Sequence, residues 1–83
     1  MRILYFAALR ERVGVAEETL TPPSEIRTVA DLVTWLRGRS DLHAAALADP
    51  AMVRVAVNQD YATPDQPVAP GDEVALFPPV TGG

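Results

Sequence analysis

Few side chains in this 83-residue sequence are equipped for chemistry, and its final residues stand out against that background. There is no cysteine, so disulfides, thiolate nucleophiles and zinc–thiolate sites are excluded. All seven basic residues are arginine, which removes Schiff-base chemistry and self-conjugation through a lysine. His43 is the one histidine; it lies in an alanine-rich stretch without a nearby partner and reads as a solvated surface residue. Asp72 and Glu73 are adjacent carboxylates, but neighbours on a strand point to opposite faces. They read as a turn aspartate followed by an outward glutamate. Trp35 reads as a residue at the edge of a helix–sheet core. Glycine-rich phosphate loops, HExxH and EF-hand spacings are all missing, and no metal ligand set is expected.

The sequence ends Pro78-Pro79-Val80-Thr81-Gly82-Gly83. The two prolines hold φ near −65° and make a stiff, extended exit. Four further residues reach about 13 Å at ~3.3 Å each. Two glycines at the tip can thread a channel too narrow for any side chain. A terminal Gly-Gly alone is also what a frayed terminus or an appended scar looks like, and the double-proline approach is what argues for function. An α-carboxylate, with a pKa of about 3.5, is an anion at neutral pH and a poor electrophile. It becomes reactive once a partner converts it to an acyl adenylate, which a sulfur nucleophile can open to a thiocarboxylate. Without cysteine, the Gly83 carboxylate is the place where transferable sulfur could be held.

The body of the chain must present that tail. Arg2 to Ala7 is rich in branched and aromatic residues and predicts a strand; Gly14 predicts a turn, and Glu17 to Thr21 a returning strand ended by Pro22-Pro23. Thr28 is placed to cap a helix with Asp31 three residues on, and Val29, Leu32, Val33 and Leu36 form its apolar face up to Gly38. Asp41 to Ala48 predicts a short second helix or turn, stopped by Pro50. Val53, Val55 and Val57 alternate with Arg54, Ala56 and Asn58 as a half-buried strand. Between Gln59 and Gly71 only brief strand pieces fit. Pro70-Gly71-Asp72 is a turn, and Glu73 to Phe77 the last strand. The expected class is α+β: a β-grasp roll, a mixed sheet with one main helix packed across it. One domain spans 1–83, with 78–83 as an extended tail.

Strand parity adds an expected surface. If Arg2 faces outward, Leu4 and Phe6 share its face while Ile3 and Tyr5 point inward. Glu73 sets Ala75 and Phe77 outward and Val74 and Leu76 inward. The net charge of −4 argues against nucleic acid and anionic membrane surfaces as partners. The short apolar run at Ile3 to Leu9 is neither a membrane span nor a secretory signal, so a cytoplasmic protein is expected.

With these residues in view, the sequence resembles the small, sulfur-carrying subunit of molybdopterin synthase. Tyr5-Phe6-Ala7, Leu9-Arg10-Glu11 and Val13-Gly14 carry the match at the start, and Ala56-Val57-Asn58-Gln59 in the middle. Gly71-Asp72-Glu73-Val74-Ala75-Leu76-Phe77-Pro78-Pro79-Val80-Thr81-Gly82-Gly83 is the most specific part. Leu76 stands where an aromatic is common, and Ala44 to Ala51 has its own sequence. The resemblance implies a ubiquitin-like β-grasp fold with the first and last strands adjacent, so that Leu4, Phe6 and Phe77 form a partner-binding patch with Tyr61 at its edge. It implies that an ATP-dependent enzyme adenylates and sulfurates Gly83, ATP being used by that enzyme and no cofactor bound here. It implies that residues 78–83 enter the active site of a large synthase subunit, in a heterotetramer, and that the sulfur attacks cyclic pyranopterin monophosphate. A thiamine-type sulfur carrier, a ubiquitin-like protein modifier and an interaction module with an inert tail are the alternative readings.

Overall fold

The computed structural model describes residues 1–79. The chain opens with β1 (Arg2–Tyr5), turns into α1 (Ala7–Val13), and returns as β2 (Glu17–Thr19), antiparallel to β1. The predicted strand over Arg2 to Ala7 is thus shorter than expected, and a helix stands where only a turn was predicted. Ala7 starts it with φ of 52°, which swings the chain off the sheet. Leu9 and Val13, four residues apart, then bury one stripe of the new helix against the core. Gly14 closes it at φ 94°, its N–H donating to the Arg10 carbonyl, a conformation that suits a residue without Cβ.

The main helix, α2 (Val29–Arg37), begins as the sequence predicts. Thr28 Oγ1 accepts from the Asp31 N–H while Asp31 Oδ2 accepts from the Thr28 N–H, so two otherwise orphaned donors are satisfied reciprocally. Val29, Leu32 and Leu36 are buried, and Val33 packs partly buried against them. A second short helix, α3 (Asp41–Ala46), is capped by Ser40. It ends at Leu47, and Pro50 opens a 3₁₀ turn over Pro50–Met52. The expectation of one main helix is therefore completed by two short ones on the same side.

Strands β3 (Arg54–Val57) and β4 (Asp60–Ala62) form a hairpin around Asn58 and Gln59, whose φ angles of 49° and 72° are those of a type I′ turn. Asn58 also reads across the sheet: its Oδ1 accepts from the Glu73 N–H and its Nδ2 donates to Asp72 Oδ1. Strand β5 (Glu73–Phe77) lies parallel to β1 and antiparallel to β3, so the sheet order is β2-β1-β5-β3-β4. The helices cover one face, where Ile3, Tyr5, Val55, Val57, Val74 and Leu76 meet Leu9, Leu32, Leu36 and Leu47. This is the β-grasp arrangement, with the first and last strands side by side at the centre.

Candidate functional site

The face of the sheet away from the helices is where the parity argument is tested. Ile3 and Tyr5 are 0% and 1% exposed, and Val74 and Leu76 are both fully buried, so the inward set is as predicted. Alternate residues point the other way. In register, Leu4 lies beside Ala75, Ala75 beside Ala56, and Ala56 beside Tyr61, a row of apolar side chains running across four strands. The next row holds Phe77, paired with Arg54. Phe6, whose N–H donates to the Leu76 carbonyl at 3.0 Å, follows β1 at the same end. Phe6 is 48% and Tyr61 85% exposed, while Leu4 and Phe77 are half-buried. The Tyr61 and Phe77 rings sit 5.9 Å apart at a 56° tilt. Leu4, Phe6, Phe77 and Tyr61 are therefore brought together, with Ala56 and Ala75 as small residues between them. Parity had already set Ala75 outward, and Ala56 follows from the alternation of β3.

Charges frame the far side of this face. Arg2 donates to Glu17 Oε2 at 2.6 Å and to Glu73 Oε2 at 3.2 Å, across the three adjacent strands. Glu17 also holds the Arg2 guanidinium further toward its protonated form. Both pairs are solvated, so they orient side chains more than they stabilise the fold. Glu73 is thus an outward strand residue, and Asp72 a turn residue accepting from the Ala69 N–H, as the sequence indicated. Trp35 is half-buried at the core's edge with the Arg39 guanidinium 5.1 Å over its ring.

Beyond Phe77, Pro78 and Pro79 are half-buried and follow directly on β5. Val80, Thr81, Gly82 and Gly83, which the sequence reading assigns to the threading tail and its reactive carboxylate, lie outside the described residues.

His43 requires a correction. It is only 7% exposed, not solvated, and its ring is held on both sides. Nε2 lies 2.9 Å from Glu18 Oε2 and Nδ1 lies 2.7 Å from Ser40 Oγ, which in turn accepts from the His43 N–H. The Tyr5 hydroxyl donates to the same Glu18 oxygen at 2.8 Å, and the Tyr5 and His43 rings meet edge-on at 6.0 Å. Ser40 is three residues away, but Glu18 and Tyr5 are remote in sequence, so the pattern around His43 could not reveal the enclosed site. Burial raises the Glu18 carboxyl, but hydrogen bonds from His43 and Tyr5, with the nearby charges of His43 and Arg39, outweigh it and hold Glu18 below its ordinary value. Burial, then the bond to Glu18, pushes the Tyr5 hydroxyl far up. The cluster ties β1, β2 and α3 together beneath the sheet, opposite to the apolar face.

A feature absent from the sequence reading is an apolar groove of about 650 Å³ between α2 and the β3–β4 edge, with Val33, Val53, Ala62 and Phe77 in its walls. Arg37 and Arg54 also line it. Among the described residues there is no group of three or more histidine, aspartate or glutamate side chains placed to hold a metal ion, and no helix long and apolar enough to cross a membrane.

Comparison with known proteins agrees with this geometry. The molybdopterin synthase sulfur carrier subunit of Escherichia coli is 41% identical over 83 residues, covering 100% of this chain and 99% of the relative. Its namesake in Homo sapiens is 37% identical over 89 residues, covering 100% and 93%. Among solved structures, SAMP1 from Haloferax volcanii superposes with a TM-score of 0.76 at 32% identity, covering 100% of this chain and 98% of that one. The ThiS family model matches residues 3–83, from the first strand through the final glycine pair. With that match joined to a ubiquitin-like sheet whose first and last strands are central neighbours, the chain belongs to the ThiS family.

Proposed function

We propose that this chain is a sulfur carrier of molybdenum-cofactor biosynthesis, working as the small subunit of a molybdopterin synthase. The observation that carries the reading is the position of β5: it places Phe77 on the exposed apolar face and leads directly into Pro78-Pro79 and the Gly-Gly sequence. A partner seated on that face would receive the tail at once. Relatives that carry the name of molybdopterin synthase sulfur carrier subunit and align over the whole chain support it further.

The proposed chemistry is confined to Gly83. A carboxylate oxygen attacks the α-phosphorus of ATP bound by an activating enzyme and expels pyrophosphate, leaving an acyl adenylate. Sulfide, or a persulfide whose S–S bond a second thiol then cleaves, attacks the acyl carbon and releases AMP. The resulting thiocarboxylate enters a large synthase subunit, where its sulfur attacks a carbon of cyclic pyranopterin monophosphate; water then cleaves the acyl–sulfur bond, leaving the sulfur on the pterin and returning the Gly83 carboxylate, and two rounds build the dithiolene. The acid–base groups for this step come from the large subunit. Phe6, Leu4, Phe77 and Tyr61 dock the carrier, and residues 78–82 position the end, their lack of bulk at Gly82 admitting it to a narrow channel.

The experiment is reconstitution with an activating enzyme, ATP, a sulfur source, the large subunit and the pterin precursor. Full-length carrier should yield molybdopterin, and carrier lacking Gly83 should fold equally well and yield none. Product from the truncated carrier would overturn the reading. A second reading, a ubiquitin-like modifier, draws on the likeness to SAMP1, a small archaeal modifier protein. It predicts a ladder of conjugates on target lysines in place of sulfur transfer.

A further inference from the structure

The groove between α2 and the β3–β4 edge is separate from the sulfur chemistry and has its own chemical character. Its walls are apolar, and among the described residues no aspartate or glutamate lines it, although the chain as a whole carries a net charge of −4. Its two charged residues are Arg37, from the last turn of α2, and Arg54, at the start of β3. Neither has an ion-pair partner among the described residues, where the ion pairs are those of Arg2 and His43. Arg37 Nε is buried and has no hydrogen-bond partner among them either. A buried N–H donor without an acceptor is unusual in a native structure, and a planar guanidinium pairs in bidentate fashion with a carboxylate, the oxyanion a protein segment offers.

The floor of the groove adds a second constraint. Strand β4 is the last in the sheet order, so its outer side has no neighbouring strand, and it stops at Ala62 opposite Val55, leaving Arg54 as the one β3 residue without a β4 partner. One end of the opening is closed where the chain crosses to α2, through Ala30 N–H to the Pro64 carbonyl at 2.9 Å and Val29 N–H to the Gln66 carbonyl at 3.0 Å. The other end opens at Tyr61 and Phe77, which belong to both the groove and the apolar sheet face. The free edge of β4 beside an apolar trough accommodates extended backbone, with side chains set alternately into the trough.

We propose that this groove docks an extended segment of a partner protein in which apolar residues flank one or two carboxylates. The apolar side chains fill the trough beside Val33 and Val53, and the carboxylates accept from Arg37 and Arg54. Because Tyr61 and Phe77 are shared, a partner on the sheet face can reach around the β4 edge with such a segment and hold the carrier at a second point. The inference does not depend on what Gly83 carries.

The test is selection of short peptides from a random display library on the full-length chain, followed by amide-resolved NMR titration with the synthetic form of the strongest binder. Enrichment of aspartate or glutamate next to valine, leucine or isoleucine is expected, with shifts centred on Val33, Val53 and Ala62. Arg54→Glu, an exposed change that leaves the core intact, should weaken that peptide about tenfold or more. Arg37→Gln should weaken it as well, and where that variant does not fold, Arg54→Glu alone decides. Recovery of no binder, binders without acidic residues, shifts confined to Leu4, Phe6 and Ala75, or indifference to Arg54→Glu would each overturn the proposal.

Discussion

Replacing Leu76 and Phe77 by alanine, one at a time, asks neighbouring residues on one strand opposite questions. Leu76 is fully buried between the sheet and the helices. Its truncation leaves a cavity and should cost about 3 kcal/mol of fold stability. At 4–8 °C per kcal/mol for a chain of this size, the melting temperature should fall by roughly 12–24 °C. Phe77 is half-buried on the outer face against Tyr61, so its removal opens no sealed cavity. About half of the ~2 kcal/mol that full burial of a phenylalanine is worth, with ~0.5 kcal/mol for the solvated aromatic pair, gives about 1.5 kcal/mol and a fall of roughly 6–12 °C. Partner binding should invert this order. Phe77→Ala should weaken the large synthase subunit and the activating enzyme by ~2 kcal/mol or more, a factor of about 30 in Kd. Leu76→Ala, once folded, should bind nearly as the parent does. Thermal melts and calorimetric titration of both variants read the two effects separately. A Phe77→Ala protein as destabilised as Leu76→Ala, with unaltered partner affinity, would place Phe77 in the core and refute the assignment of the outer face.

Acid sensitivity should trace to the cluster under β2. The Glu18 carboxyl is held below its ordinary value, so its contribution is complete above the unfolded carboxyl range and is lost as pH falls through the lower folded value. Chemical denaturation of Glu18→Gln should show a shallower loss of stability below about pH 4.5 than the parent; parallel curves would contradict it. Tyr5 is shifted the other way, so its contribution is complete below about pH 10 and is lost as pH rises through its folded value; Tyr5→Phe should flatten that alkaline decline in the same denaturation assay. Gly14→Ala should cost about 1 kcal/mol, because φ of 94° is unfavourable for any residue with a Cβ; an unchanged denaturation midpoint would refute the point. Gly82→Val should leave the melting temperature unaltered while sulfur transfer in the reconstituted system falls steeply, since a β-branched side chain jams a narrow channel.

The parts of this fold that were legible in the sequence are those governed by local rules. The Thr28–Asp31 cap, the apolar face of α2 and the inward–outward alternation of β1, β3 and β5 all follow from spacing alone. Helix α1 was hidden because its first residues continue the strand-like run from Arg2, and Phe6 at its N-cap makes no side-chain capping bond. The remaining signal, Leu9 and Val13 four apart, is a single helical step. His43 was misread for a different reason: Ser40 was near at hand, but Glu18 and Tyr5 reach it only after β1, β2 and α3 have packed. The groove was invisible for the same reason, since it arises where β4 stops short of β3 and α2 crosses above. The outward set Leu4, Phe6 and Phe77 was legible from period-two parity, whereas the adjacency of the first and last strands that joins them, and Tyr61 at the edge, came from the family resemblance.

Intact-mass spectrometry of the carrier, after incubation with activating enzyme, ATP and a sulfur source, tests the central claim most directly. The account predicts a gain equal to exchange of one oxygen for sulfur, located by fragmentation at Gly83 and absent when ATP is withheld. An unchanged mass, or sulfur found on any other residue, would contradict it.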